Sequence, residues 1–238
     1  MNMDWKTGKV IEIIKETHNT NRYIIESPDE IPFGFIPGQF VTLDLPIHEK
    51  KNKRLRSYSI ASAPNQTNQF ELLISLVEDG LGTPYIFNQI HVGDTFTFRG
   101  PVGVFTLPTF IPEDLFLICT GTGIAPFRSI INHIYQKQIK VANVYIIFGT
   151  RTQKDLLYFN EMKQLEEKME NFHYIPVLSR EQWEGKTGYV HPIYLELSQG
   201  KKDAHFMLCG WRNMIDDARQ KLEEAGFDKK QIHFELYG

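Results

Sequence analysis

The stretch CTGTGIAPF, residues 119–127, has the residue types and spacing of a phosphate cradle. It follows an apolar run and opens a helical period. Gly121, Gly123 and Ala125 therefore let the backbone approach a ligand, while the helix amino terminus offers unpaired N–H groups to an anion. Pro126 is expected at the first helical position, where its missing N–H costs nothing. A diphosphate fits such a turn. A tight strand-to-helix connection with glycines for geometry alone reads the same residues differently, and the six-position GxGxxG fingerprint is absent.

The sequence CGWRNM, residues 209–214, repeats the succession of strand, glycine and helix. In open α/β sheets ligands sit at the carboxyl ends of the strands. Arg151 in GTR and Arg180 in LSRE also follow apolar runs, so both fall on that edge. Two guanidiniums there suit a phosphate monoester, because Arg is a planar, permanently charged fork of donors. Either alone reads as a solvated loop residue; together they read as a binding rim.

A third candidate is RLRSYSIAS, residues 54–62, whose alternation puts Arg54, Arg56 and Tyr58 on one face of a strand. That face is either solvated or a surface for an anion beside an aromatic ring system. Ser59 has the opposite phase, so for it to serve the same ligand the strand must bend or end near Ser59.

These residues need elements to hold them, and the chain reads in two halves. Up to residue 108, KVIEIIKE, RYIIES, QFVTLDL, RLRSYSIA, FELLISLV and DTFTFRG alternate as half-buried strands between turn signals. Six short strands with one helical insert, TPYIFNQ, predict a small antiparallel barrel. Beyond it, LFLIC, NVYIIFG, FHYIPVLS, HFMLC and IHFEL are separated by helical periods, among them Phe127, Ile130, Ile131 and Ile134, then Met162, Leu165 and Met169, then Met214, Ala218, Leu222 and Ala225. That succession predicts a five-stranded parallel sheet with helices on both faces. Three prolines in residues 101–112 mark the boundary, giving domains 1–108 and 109–238.

Composition narrows the function classes. The chain has 238 residues, 42% of them hydrophobic, with 17 Phe and 10 Tyr, enough for a core with aromatics to spare. A net charge of -3 gives no reason to expect nucleic acid or an anionic membrane as partner. No apolar stretch approaches the roughly 20 residues needed to span a bilayer, and MNMDWKTGKV has no basic region followed by an apolar run, so a cytoplasmic location is expected. With Cys119 and Cys209 the only cysteines, neither an all-cysteine zinc site nor a cysteine-ligated iron-sulfur cluster can be built, and no metal site is expected.

The order RSYSIAS, DGLGTPY, GPVGVF, CTGTGIAPF, LLYF, LSREQ, CGWRNM and terminal HFELY resembles the plant-type ferredoxin-NADP reductase family along essentially the whole chain. The resemblance implies an FAD-binding Greek-key barrel followed by an NADP-binding α/β domain, the two cofactors meeting in the cleft between them. It implies that Arg56 holds the FAD pyrophosphate with Gly80, Gly82 and Thr83, that Tyr58 packs on the flavin and that Ser59 hydrogen-bonds flavin N5. Thr120, Gly121, Thr122, Gly123, Ile124, Ala125 and Pro126 would cradle the NADP pyrophosphate. Ser179, Arg180 and Tyr189, with Arg151, would receive the 2'-phosphate and adenine. Cys209, with Gly210 and Met214, would lie beside the nicotinamide, and Glu235 and Tyr237 match the family's carboxyl-terminal Glu-x-Tyr, whose ring covers the flavin until nicotinamide displaces it. Ser75 stands where plant members carry a lysine, and Gly238 follows the aromatic that often ends the chain.

The implied activity is exchange of hydride between NADPH and FAD, and of single electrons between FAD and a ferredoxin or flavodoxin. Ser59, Cys209, Glu235 and Tyr237 would be the catalytic residues. The alternatives are a reductase component of an oxygenase, a flavin or ferric reductase, or a flavin-bearing binding or regulatory subunit without turnover.

Overall fold

The computed structural model describes residues 4–29, 32–108 and 113–237. The chain divides into two compact units, Met1–Leu107 with Arg128–His133, and Pro108–Phe127 with Ile134–Gly238. The expected boundary after residue 108 adjoins residues 109–112, which lie outside the described residues.

The first unit contains β1 (Lys6–Lys15), β2 (Thr20–Glu26), β3 (Phe40–Asp44), β4 (Leu55–Ser59), β5 (Gln69–Ser75), α1 (Gly82–Gln89) and β6 (Thr95–Val102). Its antiparallel sheet has the order β4-β3-β6-β1-β2-β5. A bridge between Ile60 and Leu72, with Ala61 N–H donating to the Glu71 carbonyl at 2.8 Å, ties the two outer strands together. The order thus closes on itself as the alternating pattern predicts, since closure removes the exposed sheet edges. Inward residues of β1, β2, β3, β5 and β6, among them Val10, Tyr23, Val41, Phe70 and Phe98, form one cluster with Ile86 of α1 and Ile60, and Tyr58 of β4 packs half-buried against it. Phe33 stacks on Phe70 at 4.6 Å between ring centres.

The second unit contains β7 (Leu115–Thr120), both ends of α2 (Ile124–Lys137), whose middle, Arg128–His133, is counted with the first unit, then β8 (Val144–Thr150), α3 (Phe159–Lys168), β9 (Phe172–Leu178), β10 (Lys186–Thr187), α4 (Val190–Leu197), β11 (His205–Trp211), α5 (Arg212–Glu224) and β12 (Ile232–Tyr237). Every pair in the order β10-β9-β8-β7-β11-β12 is parallel. The sheet has six strands rather than the five expected. β10 is two residues long with both side chains exposed, too short and polar for periodicity to detect.

The central strands are buried on both phases, which makes them continuous apolar runs. Phe116, Ile118 and Ile147 cluster with Val190 and Tyr194 of α4 and with Ile215, Ala218 and Leu222 of α5, while Leu117 and Ile146 of the opposite phase are equally inaccessible. The fully buried residues of α5 are Ile215, Ala218 and Leu222, with Met214 half-buried against the same cluster, and Ala225 is the residue after the helix. Helix α4 had no periodic signal: it is eight residues long, carries Pro192 and is apolar almost throughout. In this order β7 is the switch point, with β8 on one side and β11 on the other, so the loops after β7 and β11 flank the crevice where such sheets bind ligands.

Candidate functional site

In the first unit, Arg56 and the amino terminus of α1 converge. Arg56 lies in mid-β4, and its Nη1 donates to the carbonyls of Leu55 at 2.8 Å and Lys53 at 3.1 Å. A Cβ built on Gly82 would lie 3.1 Å from its Nε, so the side chain rests directly against the first residue of α1. No side chain caps that helix. Its first N–H groups, which have no partner within the helix, and the guanidinium beside them present a set of donors suited to an anion. Thr83 does not complete it through its hydroxyl, which accepts from Val77 N–H at 2.8 Å and donates to the Val77 carbonyl at 3.3 Å. Gly80 N–H bonds the same carbonyl at 2.9 Å, so the turn before α1 is held by Val77 and presents backbone to a ligand.

Tyr58 follows on the same face of β4 and packs against the barrel core. Burial pushes its phenol up to about 12, with the nearby Arg56 charge working in the opposite direction. β4 ends at Ser59, as its phase required, and Ile60 already belongs to the bridge with Leu72. Ser59 itself is 3% exposed. Arg54 lies beside Asp44, with Nε 2.7 Å from Oδ1, and is paired rather than free in solvent.

In the second unit the crevice is closed tightly on backbone. Gly123 and Gly210 face each other across it: a Cβ on Gly123 would overlap the Cys209 carbonyl, and one on Gly210 would overlap Thr120 Oγ1. Only glycine lets the β7 turn and the β11 turn approach so closely. Gly121 has φ +54, which leaves a bare left-handed turn ahead of α2. Pro126 is the third residue of α2 rather than the first, and the Ile124 N–H that heads the helix bonds back to the Gly121 and Thr122 carbonyls of the short 3-10 turn before it. Ile124, Ala125 and Pro126 are buried and back the turn, so Thr120, Gly121 and Thr122 are its accessible part.

After β8 and β9 the chain segments are zipped into one strip. Ser179 N–H donates to the Thr150 carbonyl at 2.9 Å and Arg180 N–H to the Arg151 carbonyl at 2.9 Å. Glu181 accepts from Gln153 N–H at 2.8 Å. Arg151 and Arg180 are thus neighbours, and both are exposed. Ser179, Arg180, Thr187 and Gly188 line one shallow depression. Tyr189, 73% exposed, follows Gly188 and precedes α4. A larger depression, lined by Tyr135, Lys140 and Lys168 among others, opens where α2 and α3 end and carries none of the candidate residues.

Cys209, Glu235 and Tyr237 are brought together by strand register. β11 pairs Cys209 with Glu235 and Trp211 with Tyr237. The Cys209 thiol is inaccessible, and burial, then the Glu235 charge, pushes it well above the ordinary thiol range, although a hydrogen bond from Tyr237 opposes this. It is therefore a protonated packing group at neutral pH, not a thiolate nucleophile. Cys119 is buried in β7 and is shifted upward in the same way. Met214 lies in the first turn of α5 and packs on the same core cluster. Trp211, outside the motif positions named from the sequence, is 62% exposed and stands beside the β7 turn, with its backbone N–H donating to Thr120 Oγ1 at 3.3 Å. The signal for it was a large aromatic ring directly after the Cys-Gly pair, where the strand leaves the core.

Comparison with known proteins decides what these edges belong to. An oxidoreductase FAD-binding domain model matches residues 7–107, and an oxidoreductase NAD-binding domain model matches residues 117–220. The ferredoxin--NADP reductase B of Sorangium cellulosum is 34% identical over 221 residues, 89% of each chain. The chain belongs to the ferredoxin-NADP reductase family.

Within that family, the ferredoxin NADP+ reductase of Neisseria gonorrhoeae, solved with bound FAD and NADP, is 26% identical, with a TM-score of 0.81 and 98% of both chains covered. The anthranilate 1,2-dioxygenase electron transfer component of Acinetobacter baylyi is 30% identical over 95% of this chain, which spans 65% of that longer protein. The chain is thus a flavoprotein oxidoreductase with one FAD-binding and one nicotinamide-nucleotide-binding unit. Among the described residues no cluster of three metal-ligating side chains occurs, and no helix is long and apolar enough to cross a membrane.

Proposed function

We propose that this reductase exchanges hydride between NADPH and FAD and single electrons between FAD and a separate ferredoxin or flavodoxin. The observation that carries the reading is the convergence of Arg56 on the uncapped amino terminus of α1, beside the half-buried ring of Tyr58 on the same strand. An anion donor set next to an aromatic surface fits FAD, whose diphosphate and ring system need both. FAD supplies the ability to take two electrons together and release them singly.

The chain's own residues do the rest. Arg56, with the backbone at Gly80, Gly82 and Thr83, holds the flavin diphosphate, Tyr58 packs on the flavin, and Ser59 hydrogen-bonds N5. The glycine turn after β7 holds the NADPH diphosphate, and Arg151, Ser179, Arg180 and Tyr189 hold the 2'-phosphate and adenine. Cys209 and Gly210 shape the nicotinamide end, and Glu235 moves a proton near N5. Because its thiol is buried and protonated, Cys209 acts by shape and polarity rather than by ionisation. The ring of Tyr237 shields the flavin until nicotinamide replaces it, a stacking contact strong enough to exclude water and weak enough to exchange.

The test is an NADPH-driven assay with purified ferredoxin and purified flavodoxin at several salt concentrations. Turnover that falls as salt rises is the expected result for charge-guided docking of a carrier. Turnover with neither carrier overturns this choice of acceptor. The Acinetobacter relative supports a second reading, a reductase serving an oxygenase, in which the electrons still leave through a separate iron-sulfur protein. A flavin-loaded protein inactive with both NADPH and NADH would instead be a binding or regulatory subunit.

A further inference from the structure

Trp211 presents a large ring at a place where folding does not call for one. It ends β11 and precedes α5, and its indole is mostly exposed. Its backbone is pinned to the β7 turn through Thr120 Oγ1. A Cβ built on Gly121 would meet the indole Nε1 at 3.9 Å, so the N–H edge of the ring stands over the left-handed turn. Indole nitrogen is a donor only. It therefore adds a donor beside the backbone of Gly121 and Thr122, the accessible residues of the short turn that leads into α2.

Strand order says which part of a ligand would reach the ring. Arg151 follows β8 and Arg180 follows β9, on one side of β7, while Trp211 ends β11 on the other. With a diphosphate on the β7 turn and a terminal phosphate at the arginines, the remaining half of a dinucleotide runs toward β11.

We propose that Trp211 is a nucleotide-binding residue, its Nε1–H donating to a diphosphate oxygen held by the β7 turn and its ring carrying the ribose of the nicotinamide half. This rests on the reading of that edge as a dinucleotide site. The experiment is calorimetric titration of the flavin-loaded protein and of Trp211→Phe and Trp211→Ala with NADP+ and with adenosine 2',5'-bisphosphate, which lacks the diphosphate and nicotinamide half.

Trp211→Ala weakens NADP+ about tenfold and Trp211→Phe, which keeps a ring but loses the N–H, about threefold, with the bisphosphate within about twofold throughout. Unchanged NADP+ affinity in Trp211→Ala, or equal weakening of both ligands, overturns the role of Trp211. A parent protein that binds neither ligand overturns the dinucleotide reading itself.

Discussion

Arg56 lies so close to the first residue of α1 that a Cβ on Gly82 would meet its Nε at 3.1 Å and its Cγ at 3.2 Å. A strand residue and a helix amino terminus 26 positions apart in the chain thereby present one donor set. Replacing Arg56 by Ala should weaken FAD by roughly 10- to 100-fold, the worth of a charge-assisted contact, and Lys should recover little because it lacks the planar fork. The ratio of flavin to protein absorbance after desalting measures this. Full flavin occupancy in Arg56→Ala would show that the diphosphate lies elsewhere.

The glycines of the α/β unit should divide by what a methyl group meets. Gly123→Ala and Gly210→Ala would drive Cβ into backbone or the Thr120 hydroxyl and should cost about 3 kcal/mol or more. Gly121→Ala should cost only about 1–2 kcal/mol from its left-handed backbone, since the indole nitrogen 3.9 Å away leaves room for a methyl group. Urea unfolding followed by far-ultraviolet dichroism separates the two classes. Equal losses at all three positions would contradict the packing described.

Stability should fall on mild acidification. Burial lowers the pKa of His205 and of His233, whose rings stack at 6.2 Å; the charge of His205 lowers that of His233 further, while Asp203 works in the opposite direction on His205. Below the ordinary value of 6.5 the unfolded chain binds protons that the folded one resists. Stability is therefore complete above about pH 6.5 and declines as the pH falls toward the folded values. The urea midpoint should drop between about pH 7.5 and 5.5, and the double variant His205→Gln, His233→Gln should show a flatter profile. An unchanged slope in that variant would assign the effect to other groups.

Much of this was legible before any coordinates. Alternation located the barrel strands, and the requirement that Ser59 change phase placed the end of β4 correctly. What the sequence hid was short or non-local. β10 has two residues and no apolar signal, and α4 has no polar face from which to read a period. The contact between Gly82 and Arg56, and the register that sets Cys209 beside Glu235, join residues far apart in the chain, which a pattern read along the sequence cannot pair. Composition likewise offered no way to see that the Thr83 hydroxyl is already occupied by Val77.

Nucleotide preference should follow the strip after β8 and β9. Arg180→Glu puts a like charge beside a 2'-phosphate, so kcat/KM for NADPH should fall at least about tenfold while that for NADH changes less than about twofold. Steady-state reduction of a dye with both nucleotides gives the comparison. Equal losses would remove Arg180 from phosphate recognition.

If nicotinamide reduces a flavin held by this chain, anaerobic mixing of the flavin-loaded protein with NADPH or NADH shows it directly in the flavin absorbance. Rapid bleaching by NADPH is expected, with NADH slower or requiring higher concentration. A flavin that stays oxidised with both nucleotides would contradict it.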